Sequence, residues 1–304
     1  MSRHDSYVPT GTDGGCDEIV AVIAPRPRDL GGFSVRRLLP SPRHRHVGPF
    51  VFFDEMGPAS FGPEDQGISV RPHPHIGLAT VTYLYEGAID HRDSLGSHQL
   101  IRPGAINWMV AGKGIVHSER MPEGEDRPTK LHGIQVWVAL PTEAEECEPL
   151  FEHFAADTLP ELSLGGGVSA RVLLGRAFGS ESPTSTHSPL AYVDLTMAGS
   201  THFTWAPEFE ERALFVAKGT LRVGSSTIEV NQMAILRSGR HVELQAVGDS
   251  RVMLLAGAPH PEERFMEWNF VSSRKERIEE AKELWRSRGF DVVPGDEEEW
   301  IPLP

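Results

Sequence analysis

Cysteine is nearly absent from this chain: Cys16 and Cys147 are the two in 304 residues, and neither stands in a CxxC or Cys/His zinc spacing. Two thiols so far apart point to free side chains in a reducing compartment rather than to a disulfide framework. A cationic surplus is also absent. Against 43 Asp and Glu there are 29 Lys and Arg, a formal charge of −14. That balance argues against direct binding to nucleic acid or to an anionic membrane, both of which need a positive surface. It leaves a basic protein partner open. No apolar run approaches the roughly 18–20 residues of a membrane-spanning helix, and no signal-peptide apolar stretch opens the chain, so a cytoplasmic location is expected. A P-loop, a GxGxxG turn and a Ser-His-Asp order are missing too, which removes motif support for nucleotide, dinucleotide or triad-hydrolase chemistry.

What the chain does have is a long succession of short β-type runs. EIVAVIA, FSVRRLLP and PFVFFDEMG are separated by Pro25-Arg26-Pro27 and Gly31-Gly32, after a polar, loose stretch over 1–16. From Ile76 to Val138 the runs ATVTYLYEG, HQLIRPG, INWMVAG, GIVHSER and LHGIQVWVAL follow at turn-spaced intervals. PTEAEECEPLFEHF is acidic without alternation and reads as a crossover. A second β series then repeats the rhythm, from ARVLLGRA to RVMLLAG. Tyr85-Glu86-Gly87 leading to Pro103-Gly104 is matched by Ala217-Lys218-Gly219 leading to Ser238-Gly239, which favours two related barrels in tandem. The division expected is 17–140 for the first and 141–304 for the second. Near the end, Ser273 and Glu276 have capping-box spacing, Ile278, Ala281 and Trp285 recur at helical intervals, and Gly289 offers a stop. One helix over 273–288 is predicted, followed by an acidic tail that is solvated or straps the surface.

Two dipeptide spacings carry the chemistry: His73-Pro74-His75 and His117-Ser118-Glu119. Side chains at i and i+2 of a strand leave the same face, so each segment can aim two donors at one point. Three imidazoles and one carboxylate meeting there would hold a divalent ion. Pro74 denies the ladder one N–H and marks a strand edge or start. The other His-x-His, His44-Arg45-His46, sits among Pro42, Arg43 and Gly48 and reads as a solvated loop. Such a donor set suits Fe, Mn, Ni, Cu or Co, with Zn also compatible, and four protein ligands leave positions open for a substrate. Glu119 is the one acid placed at the metal, so it is expected to act as ligand and as general base. Trp108, Met109 and Phe53 read as barrel core rather than pocket lining, and His91, Asp93 and His98 as a surface turn.

The string HPHIGLATVTYLYEG…LIRPGAINWMVAGKGIVHSE resembles the N-terminal motif of the pirin family within the cupin superfamily. GPFVFFDEMGP and WNFVSSRKERIEEAKELWR, in family order on either side, extend the resemblance over nearly the whole chain. It implies an all-β bicupin, two tandem cupin-type β-sandwich barrels with metal in the first alone, and Fe(II) as the resting ion. The family's ligands map by motif onto His73, His75, His117 and Glu119. One departure stands out: the carboxylate frequent four residues after the second histidine is replaced by Ala79. In the second half His202-Phe203-Thr204 breaks the His-x-His pattern, and His241-Val242-Glu243 lacks a partner pair.

The resemblance implies a quercetin 2,3-dioxygenase-type oxygenase acting on a flavonol or similar enediol with O2. The alternative it implies is an iron-dependent redox-sensing regulator that binds a protein partner, acting as a transcriptional coregulator or as a modulator of a metabolic enzyme. A monomer is expected in either case.

Overall fold

A computed structural model describes residues 18–29, 34–62, 64–65 and 67–304. Cys16, Gly31-Gly32 and the stretch 1–16 lie outside the described residues. The fold is all-β with a single α-helix among those residues.

Each half forms a barrel from one large and one small antiparallel sheet. The large sheet of the first half orders its strands Leu150–Phe154, Ile106–Val110, Leu78–Glu86, Lys130–Ala139, Phe50–Ser60, Ser34–Leu39 and Arg26–Asp29. Facing it is a small sheet ordered Ser69–His75, Ile115–Arg120, Ile89–Asp93 and His98–Ile101. The second half repeats the plan. Its small sheet orders His202–Trp205, Val242–Ala246, Leu221–Val223 and Ser226–Ile228.

The two large sheets pack back to back. Phe50, Phe53, Val81, Trp108 and Val136 meet Tyr192, Phe215 and Met253 in this shared core, with Phe53 and Phe215 ring centroids 4.8 Å apart. Because strand side chains alternate, the neighbouring residues point the other way, into the barrels. Phe52, Leu78 and Trp137 thus enter the first barrel on one side, while Met56, Leu84 and Leu131 enter it on another. The interior of the second barrel is filled by Val172, Leu195, Trp205, Leu214, Leu244 and their neighbours.

The halves exchange terminal segments. Ile19–Ile23 adds to the second half's large sheet by pairing with Met233–Leu236. In return the hairpin Phe265–Glu267/Phe270–Ser272 and the helix Lys275–Arg286 pack on the first barrel, where Phe270, Ile278 and Ala281 close over Ile76.

Two expectations are corrected. The helix begins at Lys275 rather than 273 and has no side-chain cap; the Ser273 amide and hydroxyl instead donate to the buried Glu145 carboxylate at 2.8 and 2.6 Å. At its other end the left-handed residue is Arg288 (φ 56°), with Gly289 N–H closing back on Leu284 O at 2.8 Å. The acidic crossover also ends in structure, for Leu150–Phe154 pairs with Ile106–Val110 as an edge strand. Its acidic charges obscure the β pattern because an edge leaves them solvated. The tail does strap the surface: Asp296 takes two bonds from Arg120 at 2.8 and 2.9 Å, and Ile301 N–H donates to Pro72 O. No helix among the described residues is long and apolar enough to cross a membrane.

Gly77, two residues after His75, has φ +67°, and a Cβ there would lie 1.9 Å from Val271 O. Gly77→Ala is therefore expected to lower stability by about 2–4 kcal/mol, through backbone strain plus displacement of the C-terminal hairpin. The readout is a lower urea midpoint at unchanged m-value. A midpoint equal to wild type would mean that the hairpin is not seated as described.

Candidate metal centre

Strand register builds the site. Ser69–His75 is the edge of its sheet, as Pro74 suggests, and pairs antiparallel with Ile115–Arg120 so that His73 faces His117 and His75 faces Ile115. On the other side of Ile115–Arg120, His117 faces Asp93 and Glu119 faces His91. A register shift separates His117 from Glu119: Val70, three residues before His73, opposes Glu119. This bulge lets Arg71 O turn back to accept the His73 Nδ1–H at 2.9 Å.

The three imidazoles converge. One ring nitrogen from each of His73, His75 and His117 lies within 4.8 Å of the others, and the Nε2 atoms of His75 and His117 are 3.1 Å apart. The Nδ1–H groups of His73 and His75 donate to Arg71 O and Asn269 O, which leaves the Nε2 lone pairs aimed inward. Lone pairs crowded in this way suit a shared cation. Two donors each about 2.0–2.1 Å from one ion are separated by about 2.9 Å at right angles and about 3.4 Å at the tetrahedral angle, a range that includes the observed spacing.

Electrostatics favour the ligand state. Burial lowers the His73 pKa to about 4, and burial with the neighbouring imidazoles holds His75 and His117 well below the ordinary range. All three are neutral at physiological pH, as metal ligation requires. His117 differs in one respect: its Nδ1 is buried without a partner among the described residues.

Glu119 lines the same cavity one strand step from His117 but is not part of the group within 4.8 Å. Burial raises its pKa, opposed by His91 and by a bond from Thr82. Thr82 Oγ1 is 3.1 Å from Glu119 Oε1 and 2.9 Å from Gln135 Oε1. A hydroxyl has one proton, so both contacts are hydrogen bonds only if Glu119 carries a proton or Gln135 presents its amide nitrogen.

The cavity holds about 460 Å³ and is walled by Phe52, Trp137, Met56, Gln135, Trp268 and Ile301. Phe52 and Trp137 stack at 3.9 Å and 11°, and the Arg37 guanidinium caps Phe52 while pairing with Asp54 at 2.8 Å. Trp108 and Phe53 belong to the core between the barrels, as expected, and Met109 packs with Ile115 and Phe151. The aromatic lining that sequence reasoning missed, Phe52, was one residue away from a residue it named. Strand parity decides between them.

The remaining candidates sort by face. Ala79 is in the inter-barrel core beside Val81 and Tyr83, so a carboxylate at that position would point away from the cavity. His46 lies in the expected loop, its pKa raised by a bond to Glu211. His202 and Glu243 pair at 2.8 Å on the outside of the second barrel, both more than half exposed. His91 and Asp93 require a correction. They are buried on a strand rather than exposed in a turn, since Ile89, His91 and Asp93 form its inward-facing alternation; His98 alone is exposed. Cys147 is a half-buried free thiol whose pKa burial pushes up.

Comparison with known proteins places this geometry. The family description Pirin matches residues 32–138, and Pirin C-terminal cupin domain matches 192–291. A pirin-like protein of Caulobacter vibrioides is 45% identical over 284 residues, which is 93% of this chain and 98% of that protein. A Pseudomonas aeruginosa protein provisionally named a quercetin 2,3-dioxygenase is 40% identical over 90% of this chain and 87% of its own. Among solved structures, a quercetin 2,3-dioxygenase from Acinetobacter baumannii superposes with a TM-score of 0.87 at 35% identity, covering 94% of this chain and 95% of that one. With both of its barrels matched, and with a histidine cluster able to hold a metal inside the first, this chain belongs to the pirin family of the cupin superfamily.

Proposed function

We propose that this chain is a mononuclear metal-dependent oxygenase that opens a flavonol such as quercetin with O2, its ion held by His73, His75, His117 and Glu119. The observation that carries this reading is the convergence of three buried, neutral imidazoles within 4.8 Å in an aromatic-walled cavity. Similarity to the Acinetobacter baumannii quercetin 2,3-dioxygenase structure at 35% identity, and to the provisionally named Pseudomonas aeruginosa protein at 40%, supports the substrate class. Fe(II) is the proposed ion, and Ni, Mn, Cu, Co and Zn suit the same donors.

A divalent ion bound there supplies Lewis acidity that lowers the pKa of an enol hydroxyl. The protein does the rest. Glu119, made more basic by burial, accepts the hydroxyl proton; Thr82 donates to its carboxylate, and Gln135, turned to present its amide nitrogen, holds Thr82. The Phe52–Trp137 stack offers a flat wall to an aromatic ring, and the cavity is of a size for ligands of this kind. Among the described residues the second barrel offers no matching donor cluster: its interior cluster is apolar, and the buried Arg212 donates to the Trp205, Ala206 and Arg237 carbonyls.

Metal-loaded protein should consume O2 and bleach quercetin, and both should stop when a chelator strips the ion. His117→Ala is expected to lose the metal, and Glu119→Gln to lower turnover at least about 100-fold, the scale of one general base. If the loaded wild type leaves quercetin unchanged, the substrate is wrong; if it retains no stoichiometric metal, the centre is.

Neutral burial of the imidazoles also sets a pH dependence. Below the ordinary histidine pKa of 6.5 the unfolded chain binds protons that the folded one refuses, so stability falls as pH drops from 6.5 toward the folded value of about 4 for His73. At pH 5 the loss from His73 alone is about 2 kcal/mol. Urea midpoints of metal-stripped protein at pH 7 and pH 5 should therefore converge partly in His73→Asn relative to wild type. Equal pH sensitivity in the two would show that the ring is not held neutral.

A further inference from the structure

We infer that His91 is a positioning residue for His117, with Asp93 setting its tautomer and Phe151 holding its plane. The inference rests on the reading of His73, His75 and His117 as metal ligands.

A ligand imidazole ordinarily donates its second N–H to a carbonyl or carboxylate, which fixes ring orientation and raises donor strength. His73 and His75 do so, to Arg71 O and Asn269 O. His117 is the exception, for its Nδ1 is buried and finds no partner among the described residues. An orphan of this kind is destabilising and calls for an acceptor.

The neighbouring strand carries a candidate, His91, although no hydrogen bond joins the two rings in this structure. The His91 ring centroid lies 5.4 Å from that of His117, with the rings inclined at 40°. Register places His91 opposite Glu119 and Asp93 opposite His117, so the four residues form one square on the inner face of the sheet. His91 is 2% exposed, and its Nε2 is 3.1 Å from Asp93 Oδ2. The other oxygen, Asp93 Oδ1, accepts the Leu95 and Ser97 amides at 2.9 and 3.0 Å, which anchors the carboxylate as an acceptor. In the tautomer that donates Nε2–H to Asp93, His91 Nδ1 keeps a lone pair, the complement of an N–H on His117. Phe151 stacks on His91 at 4.4 Å and 12°, so the ring cannot swing away. A carboxylate–histidine–histidine series of this kind carries orientation from Asp93 to the ion-facing ring.

Co(II) serves as the probe, with affinity from chelator competition and geometry from the d–d absorption bands. His91→Phe keeps the stack on Phe151 and removes the nitrogens. It should weaken Co(II) binding about 10–100-fold and shift the bands, and it should lower metal-free thermal stability because Asp93 Oδ2 loses its partner. His91→Gln restores an acceptor and should recover part of the affinity, and Asp93→Asn should fall between. His98→Gln, at the exposed end of the adjacent strand, should match wild type. Wild-type affinity and bands in His91→Phe overturn the inference while leaving the metal centre standing; should that variant not fold, unchanged bands in Asp93→Asn do the same. Failure of the wild type itself to bind Co(II) overturns the metal reading and this inference with it.

Discussion

Desolvation of three imidazoles is the constraint on which the site depends. In water each ring would be partly protonated near neutrality and would repel its neighbours. Buried between two sheets, His73, His75 and His117 stay neutral, and their converging lone pairs suit a shared cation. The backbone does the aiming. A carbonyl two residues back and another from the distant C-terminal hairpin each take an Nδ1 proton, so that tautomer and direction are decided together.

Strand parity explains what could be read from the chain. His73-Pro74-His75 and His117-Ser118-Glu119 were legible because i and i+2 share a face whatever the tertiary structure, and the register that joins them needs only two adjacent strands. The tandem barrels were legible from turn spacing and the internal echo. Less accessible was any feature that depends on which face is inward. Phe52 and Phe53 are equally aromatic, and one lines the cavity while the other fills the seam between barrels. His91 and Asp93 did carry a signal, the alternation with Ile89, but two charged neighbours, Asp90 and Arg92, gave the segment a polar look. Asn269 carried none. Its contribution is a main-chain oxygen brought across 194 positions, and no side-chain pattern announces that.

The two barrels share a plan and differ in how their interiors are spent. In the first, a row of polar side chains, His73, His75, His117, Glu119 and Thr82, interrupts the apolar lining, and a cavity opens beside it. In the second, Trp205, Leu214 and Leu244 close the equivalent space, and the surviving His202 and Glu243 are turned out to solvent. The second barrel acts instead as a wall. Its large sheet buries the back of the first, so the strand bearing Thr82 is held from both faces.

The crossing of the chain ends has a temporal consequence. The carbonyl that orients His75 belongs to a hairpin near the end of the polypeptide, and the helix after it closes over Ile76. During synthesis the first barrel can collapse long before that hairpin leaves the ribosome, but one of its three rings is then still unaimed. An ion in this site would therefore wait for the hairpin that carries Asn269, because His75 lacks its acceptor until that segment is seated.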